Sequence, residues 1–237
     1  MTPMRFAAAL GAAVLLVAGC GSDGDESAVD SSDTAVSQAG DDTSGGIADD
    51  AGSADADCPP VEGADSQTRQ FDAMPPECLE PGASYEAIVT TNMGEFTIAV
   101  EPDTAPVAAN NFVFLARNQY FDDTVCHRII PDFVVQCGDP TATGTGGPGY
   151  TIVDEPPTVP YEIGSIAMAK TAAPDSAGSQ FFIVTGSDGA SLPPEYALFG
   201  RVTDGFDTAV AAMAAAGTPS GEPSEPVEIQ SIRIVQR

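Results

Sequence analysis

Histidine occurs once in this chain of 237 residues, at His127, and tryptophan not at all. A single histidine leaves a metal site short of ligands, and the five cysteines never fall in the close pairs that zinc sites use. No metal and no cofactor is therefore expected. Lysine and arginine together number eight, against 35 Asp and Glu, for a formal net charge of −27. A chain so poor in cations repels phosphate backbones, which argues against nucleic acid as a partner. Apolar runs are scarce too. Phe6 to Val17 is too short to span a bilayer comfortably, and no second run reaches that length.

What is present at the start reads as an export signal. Arg5 supplies a positive start, the apolar run follows, and the small residues Val17-Ala18-Gly19-Cys20 close it. That ending resembles the bacterial lipobox, in which cleavage precedes a cysteine that is then lipidated. The reading is a signal over 1–19, lipid on Cys20, and a protein anchored outside the cell membrane. A tether follows over 20–57, rich in Asp, Ser, Gly and Ala. Thirteen acids and no Lys or Arg lie between residues 21 and 68. Such a segment buries too little apolar surface to offset its chain entropy, so a disordered spacer is expected. Removing those thirteen from the total of 35 leaves 22 acids against seven basic residues from Arg69 on.

Setting Cys20 aside, Cys58, Cys78, Cys126 and Cys137 make an even number in an exported chain, and four cysteines allow three pairings. Spacing favours Cys58–Cys78, closing a Pro-rich arm over 58–84, and Cys126–Cys137, bridging a hairpin that turns near Pro131-Asp132. A one-residue register shift would send Cys126 and Cys137 to opposite faces and prevent that bond. Free buried thiols are the alternative.

From Tyr85 onward the pattern is of short strands. "YEAIVTT" and "EFTIAV" flank a turn at Asn92-Met93-Gly94, and further strands are expected at 125–130, 133–137, 165–169, 180–185, 197–202 and 227–235. One helix should begin after an Asp103 or Thr104 cap, with Pro106 in its first turn and an inward stripe of Val107, Ala108, Phe112, Leu115 and Ala116. A second, Ala-rich, should run from about Asp207 to Ala216 and stop at Gly217. Many short strands with two helices predict a mainly β domain over 85–237, a closed barrel with a helix over each end.

The adjacent Cys126 and His127 invite a cysteine-hydrolase reading. Neighbouring strand residues point to opposite faces, so the two cannot readily share a proton.

The blocks "CHRIIPDFVVQCGDP", "GTGGPGY", "GSIAMAK", "GSQFFIVT" and "LFGRV" resemble, in order and spacing, the cyclophilins, which are peptidyl-prolyl cis-trans isomerases. The resemblance spans Tyr85 to the C-terminus. It implies an eight-stranded antiparallel barrel capped by two helices, and an isomerase that needs no cofactor. Arg128 would be the catalytic arginine, with Phe133 and Gln136 beside it. Val134, Phe182 and Leu192 would seat the proline, although Val134 reads equally well as core. Gln180 would neighbour Gln136 in the groove, and the backbone at Ala169 and Lys170 would pair with an extended peptide. The implied partners are proline-containing segments of exported proteins, bound by a monomer.

Three positions depart from the family. No tryptophan flanks the pocket, where Ala190 or Ser191 stands instead; Tyr196 replaces a histidine; Lys170 replaces a common asparagine. Weaker cyclosporin binding is expected as a result. A proline-peptide-binding or chaperone module with little turnover is the alternative function.

Overall fold

The computed structural model describes residues 57–237. The expected signal, Cys20 and nearly all of the tether lie outside the described residues.

β1 (Tyr85–Thr91) and β2 (Gly94–Val100) form the expected hairpin in unbroken register, from Tyr85 opposite Val100 to Thr91 opposite Gly94. Alternation decides its faces: Tyr85, Ala87, Val89, Thr91, Phe96, Ile98 and Val100 are all buried, while the residues between them are not. The chain then runs through α1 (Pro106–Arg117), β3 (Thr124–Val125), β4 (Arg128–Ile130), β5 (Val134–Cys137), β6 (Ser165–Met168) and β7 (Phe181–Val184). After these come α2 (Ser187–Ala190), β8 (Leu198–Asp204), a π-helical turn (Phe206–Val210) leading into α3 (Ala211–Ala215), and β9 (Glu228–Gln236).

All nine strands belong to one antiparallel sheet in the order β3-β9-β1-β2-β8-β6-β7-β5-β4. The edge strands β3 and β4 are separated in sequence only by Cys126 and His127. Nine flat strands at ~4.8 Å spacing would put the edges about 38 Å apart, whereas three Cα steps reach at most about 11 Å. The sheet must therefore curl until its edges nearly meet. The expected single strand over 125–130 is in fact two, which turns eight strands into nine. The break falls at Cys126-His127: the Cys126 N–H still bonds Val227 O at 2.9 Å, one step on in the β3–β9 register, while pairing with β5 begins only at Arg128. Inside the curl, Phe112 of α1 packs on Phe121, Phe181 and Phe199 with ring centroids 4.9–5.5 Å apart.

α1 differs from expectation at both its start and its outer face. Neither Asp103 nor Thr104 caps it. Instead the Glu155 carboxylate, from a distant loop, accepts from the N–H groups of Val107 and Ala108 at 3.0 and 2.8 Å, filling donors that every helix start leaves open. Burial also extends beyond one stripe, to Ala109, Val113 and Phe114. The reason is the arm before β1, which lies along the helix. Phe71 stacks on Phe114 with centroids 5.0 Å apart, and Asn110 bonds Pro76 O and Cys78 N–H. The N–H groups of Ala64 and Thr68 take the carbonyls of Arg117 and Asn118 at the helix end. Cys58 and Cys78 are bonded, as spacing favoured, with Cα atoms 5.3 Å apart.

The Ala-rich second helix begins as a π-helical turn at Phe206, one residue before the expected Asp207, and α3 ends at Ala215. Gly217 sits against Ile129, where a Cβ would meet Cγ2 at 2.9 Å. The short α2 has no counterpart among the expected elements, since a four-residue turn carries no periodicity to read.

Candidate active site

β5, β6, β7 and β8 send alternate residues to opposite faces. Val135, Cys137, Ile166, Phe181 and Ile183 enter the main core, while Val134, Ala167, Phe182, Val184 and Leu198 form a second buried cluster on the other face. Phe133, Ala169, Leu192 and Tyr196 pack at its margin. This second cluster is the floor of the site.

Arg128 on β4 faces Gln136 on β5 across a register pair, and Gln136 faces Phe182 on β7. Register therefore lines up Arg128, Gln136 and Phe182 across three strands. The guanidinium donates to Gln136 Oε1 at 3.2 Å, Gln136 Nε2 donates to Gln180 Oε1 at 3.0 Å, and Gln180 Nε2 donates to Gly146 O at 3.0 Å. One face of the guanidinium lies over the Phe133 ring, 5.4 Å from its centroid. Two glutamine amides and an aromatic ring thus set the orientation of a permanent cation.

A cavity of about 170 Å³ opens beside it, lined by Arg128, Phe133, Val134, Gln136, Ala169, Lys170, Phe182, Leu192 and Tyr196. Every residue proposed from sequence for the site lines this cavity except Gln180, which lies in the adjoining one. Phe182 and Tyr196 meet edge to face at 5.4 Å. Of the two residues expected where the family often has tryptophan, Ala190 packs at the margin of the second cluster and Ser191 is exposed.

At the cavity edge the Ala169 N–H is committed to Gln180 O at 2.8 Å, which leaves the Ala169 carbonyl as the backbone group there that could pair with a peptide. Lys170 reaches Asp154 Oδ2 at 2.6 Å; that bond holds the Asp154 carboxyl below its ordinary value and raises the Lys170 ammonium.

Cys126 and Cys137 are bonded although the hairpin register would place Cys126 opposite Gly138 rather than Cys137. The strand break at Cys126 turns its side chain inward, so the register penalty does not arise. Both cysteines are buried, and a sulfur already bonded to another cannot act as a nucleophile. His127 is half-buried with neither ring nitrogen hydrogen-bonded. Burial lowers its pKa, the Asp139 charge opposes this, and Arg128 reinforces it.

Several contributors carry no signal in the motifs. Tyr161 is buried behind the pocket, its hydroxyl donating to Tyr196 O at 2.7 Å and accepting from Tyr196 N–H at 2.9 Å. Asp132 takes φ +57 in the turn before Phe133. Its carboxylate accepts from the Ser187 N–H at 2.9 Å and the Ser187 hydroxyl at 3.0 Å. The Asp132 carbonyl accepts from the Asp188 N–H, and Phe133 O from the Thr185 N–H. These bonds dock α2, and with it Leu192, onto the turn that carries Phe133. Asp139 organises the Gly-rich loop. Burial alone would raise its carboxyl, but bonds from Thr141, Gly146 and Gly144 outweigh that and lower it. Asp and Asn in turns are the only signal that could have pointed to Asp132.

Residues 87–234 match the family model for cyclophilin type peptidyl-prolyl cis-trans isomerases, more than half of the chain. The chain belongs to the cyclophilin family. This cyclophilin is 36% identical over 172 residues to a probable peptidyl-prolyl cis-trans isomerase B of Mycobacterium leprae, covering 64% of this chain and 57% of that protein. The chain thus spans little more than half of that relative. It is 35% identical to peptidyl-prolyl cis-trans isomerase A of Mycobacterium tuberculosis, covering 65% of this chain and 94% of that one. A crystal structure of a Cryptosporidium parvum cyclophilin, determined in the presence of the dipeptide Ala-Pro, superposes with a TM-score of 0.59 at 33% identity. It covers 64% of this chain and 99% of that chain.

Proposed function

We propose that this cyclophilin accelerates cis-trans isomerisation of X-Pro bonds, with Arg128 as the group that lowers the barrier. The barrier to amide rotation is ~18–20 kcal/mol, and the uncatalysed X-Pro bond turns over in ~10–100 s. No covalent bond breaks, so the reaction needs a donor that acts on the twisted amide and not on the planar one. As the bond rotates, the prolyl nitrogen loses resonance and gains a lone pair. A guanidinium N–H aimed at that nitrogen is then stronger in the transition state than in the ground state. The apolar cavity of Phe133, Phe182 and Leu192 would hold the pyrrolidine ring, while Gln136 bonds the peptide backbone.

The observation that carries this reading is the state of Arg128. It stands at the cavity rim, held by Gln136 and Phe133, and makes no ion pair among the described residues. Arg117 and Arg69 also lack an ion pair, but their guanidinium groups are spent on Gln236 Oε1 and on the Asp122 carbonyl; Arg128 alone of the three lines the cavity. The test is a protease-coupled proline-isomer assay on wild type and Arg128→Ala. Loss of one such donor should lower kcat/KM by roughly 100-fold or more. Equal rates for both proteins at the uncatalysed level would leave a proline-peptide-binding module instead.

The curled sheet is best read as a barrel that closes through the chain itself, β3 and β4 being one strand interrupted at Cys126-His127. Support for a location outside the cytoplasm comes from the signal pattern and from the two disulfides, which persist in oxidising compartments. A lipid on Cys20 would hold the domain outside the cell membrane, where proline segments of exported proteins are its substrates and the protein acts as a monomer. Mass spectrometry of the mature N-terminus tests the anchor: an unlipidated Cys20, or cleavage elsewhere, rules it out.

A further inference from the structure

Beside the proline cavity lies a second one of about 300 Å³. The two share Gln136, Ala169 and Lys170. An extended peptide advances ~3.3 Å per residue, so a side chain two or three residues from a seated proline would pass over this second cavity. Its far wall is the loop Gly144–Pro148 with Tyr150, a stretch too rich in glycine to define its own shape.

The Asp139 carboxylate holds its first half through the N–H groups of Thr143, Gly144 and Gly146, and three consecutive carbonyls show what holds the second half. Gly146 O is taken from the site side by Gln180 Nε2 at 3.0 Å, the end of the amide chain that starts at Arg128. Gly147 O is taken from the opposite side by Gln70 Nε2 at 3.1 Å, and Pro148 O by the Phe71 N–H at 2.8 Å. Both of those donors belong to the arm. Contact there is close: Gly149 adopts φ +103, and any Cβ on it would collide with the Phe71 carbonyl. The Phe71 ring is wedged between Phe114 of α1 and Tyr150 of the loop, at 5.0 and 6.3 Å.

We propose that the arm over 58–84 is a positioning brace for the second cavity, and that Gln70 and Phe71 thereby set selectivity for the residue two or three positions from the proline. The arm lies outside residues 87–234 that match the family, so the selectivity it confers would belong to this chain and not to the barrel. The proposal rests on reading the site as a proline-peptide groove. Gln70 and Phe71 are positioning residues that act through the loop. They touch no reacting atom, and turnover should not depend on them.

The test uses the full chain, with Phe71→Ala and the exposed-site variant Gln70→Ala, which removes one surface bond and should not affect folding. Two fluorescently labelled probes are titrated, a bare Ala-Pro unit and the same unit extended by three residues on each side. Hydrogen exchange of amides 141–150 is followed in parallel. In wild type the extension should tighten binding. In Phe71→Ala that gain should fall at least threefold and loop exchange should quicken at least tenfold, with bare-probe affinity and kcat held within about twofold. Gln70→Ala should shift both readouts in the same direction by less. Unchanged loop exchange in both variants would overturn the brace. Faster exchange with an undiminished gain would overturn its role in selectivity. Wild type that binds neither probe would overturn the reading of the groove and the selectivity with it, while the exchange data would still decide whether the arm holds the loop.

Discussion

Two segments of this protein are closed by disulfides, and they use the bond differently. Cys126 and Cys137, eleven residues apart, are buried at 1% and 0% exposure in the main core. Cys58 and Cys78, twenty apart, sit at the surface of the arm, where Cys58 is exposed. The hairpin is packed on both faces, by phenylalanines inside the curl and by the proline cavity outside. The arm has one aromatic anchor, Phe71, with Cys78, Leu79 and Ala83 at the margin of the core, and hydrogen bonds to carbonyls at the end of α1 and in the Gly-rich loop. One link lies within a structure already enforced by packing. The other defines the ends of a segment with little core of its own.

The largest test of that contrast is to remove each link in turn. Loop entropy alone assigns ~3 kcal/mol to either bond. Packing predicts an asymmetry: Cys126→Ala with Cys137→Ala should cost more than that figure, because two buried sulfur contacts go as well. Cys58→Ala with Cys78→Ala should cost the global fold less, since the arm can detach while the curled sheet stays folded. Urea midpoints measure both, and equal losses would erase the distinction.

A smaller effect is expected where α2 meets the hairpin turn. Asp132→Ala removes both carboxylate bonds to Ser187 and puts a Cβ-bearing residue without a polar tip at φ +57. KM for proline peptides should rise several-fold with kcat nearly unchanged. Asp132→Gly, which accepts that φ, should show the loss of the bonds alone, and Asp132→Asn should recover part of it. A fall in kcat with constant KM would place the effect on Arg128 instead.

The smallest effect is at His127. Burial lowers its folded pKa, so the unfolded chain binds the proton first as pH falls. Stability should therefore rise with pH between the folded pKa and the ordinary value of ~6.5, and stay level above it. As the chain has one histidine, a single imidazole resonance reports the midpoint. A midpoint above ~6.5 would mean that the Asp139 charge outweighs burial, and His127→Gln should abolish the slope.

Much of the site is legible in the amino-acid sequence alone. Alternation in "RIIPDFVVQC" places Arg128, Val134 and Gln136 on one face, and the ordered motifs point to Phe182, Leu192 and Tyr196. Illegible there are contributions from the other side of a contact. Glu155 caps α1 from 47 residues beyond Ala108, where Asp103 and Thr104 were the local candidates. Phe114 falls off the inward stripe and is buried only because Phe71 covers it. Cys126 pairs with Cys137 only because the strand breaks at that residue, and no periodicity marks the break.

The sequence by itself determined the strands, the hairpin turns and the family, because side-chain alternation and turn chemistry act over a few neighbouring residues. Only the tertiary structure decided which group answers each exposed carbonyl and each helix end. Those partners come from segments tens of residues apart, brought together when the sheet curls. Gln180 on Gly146, Gln70 on Gly147 and Phe71 on Pro148 are the case in point: Asp139 holds the first half of the loop from close by in the chain, and two distant segments hold the second.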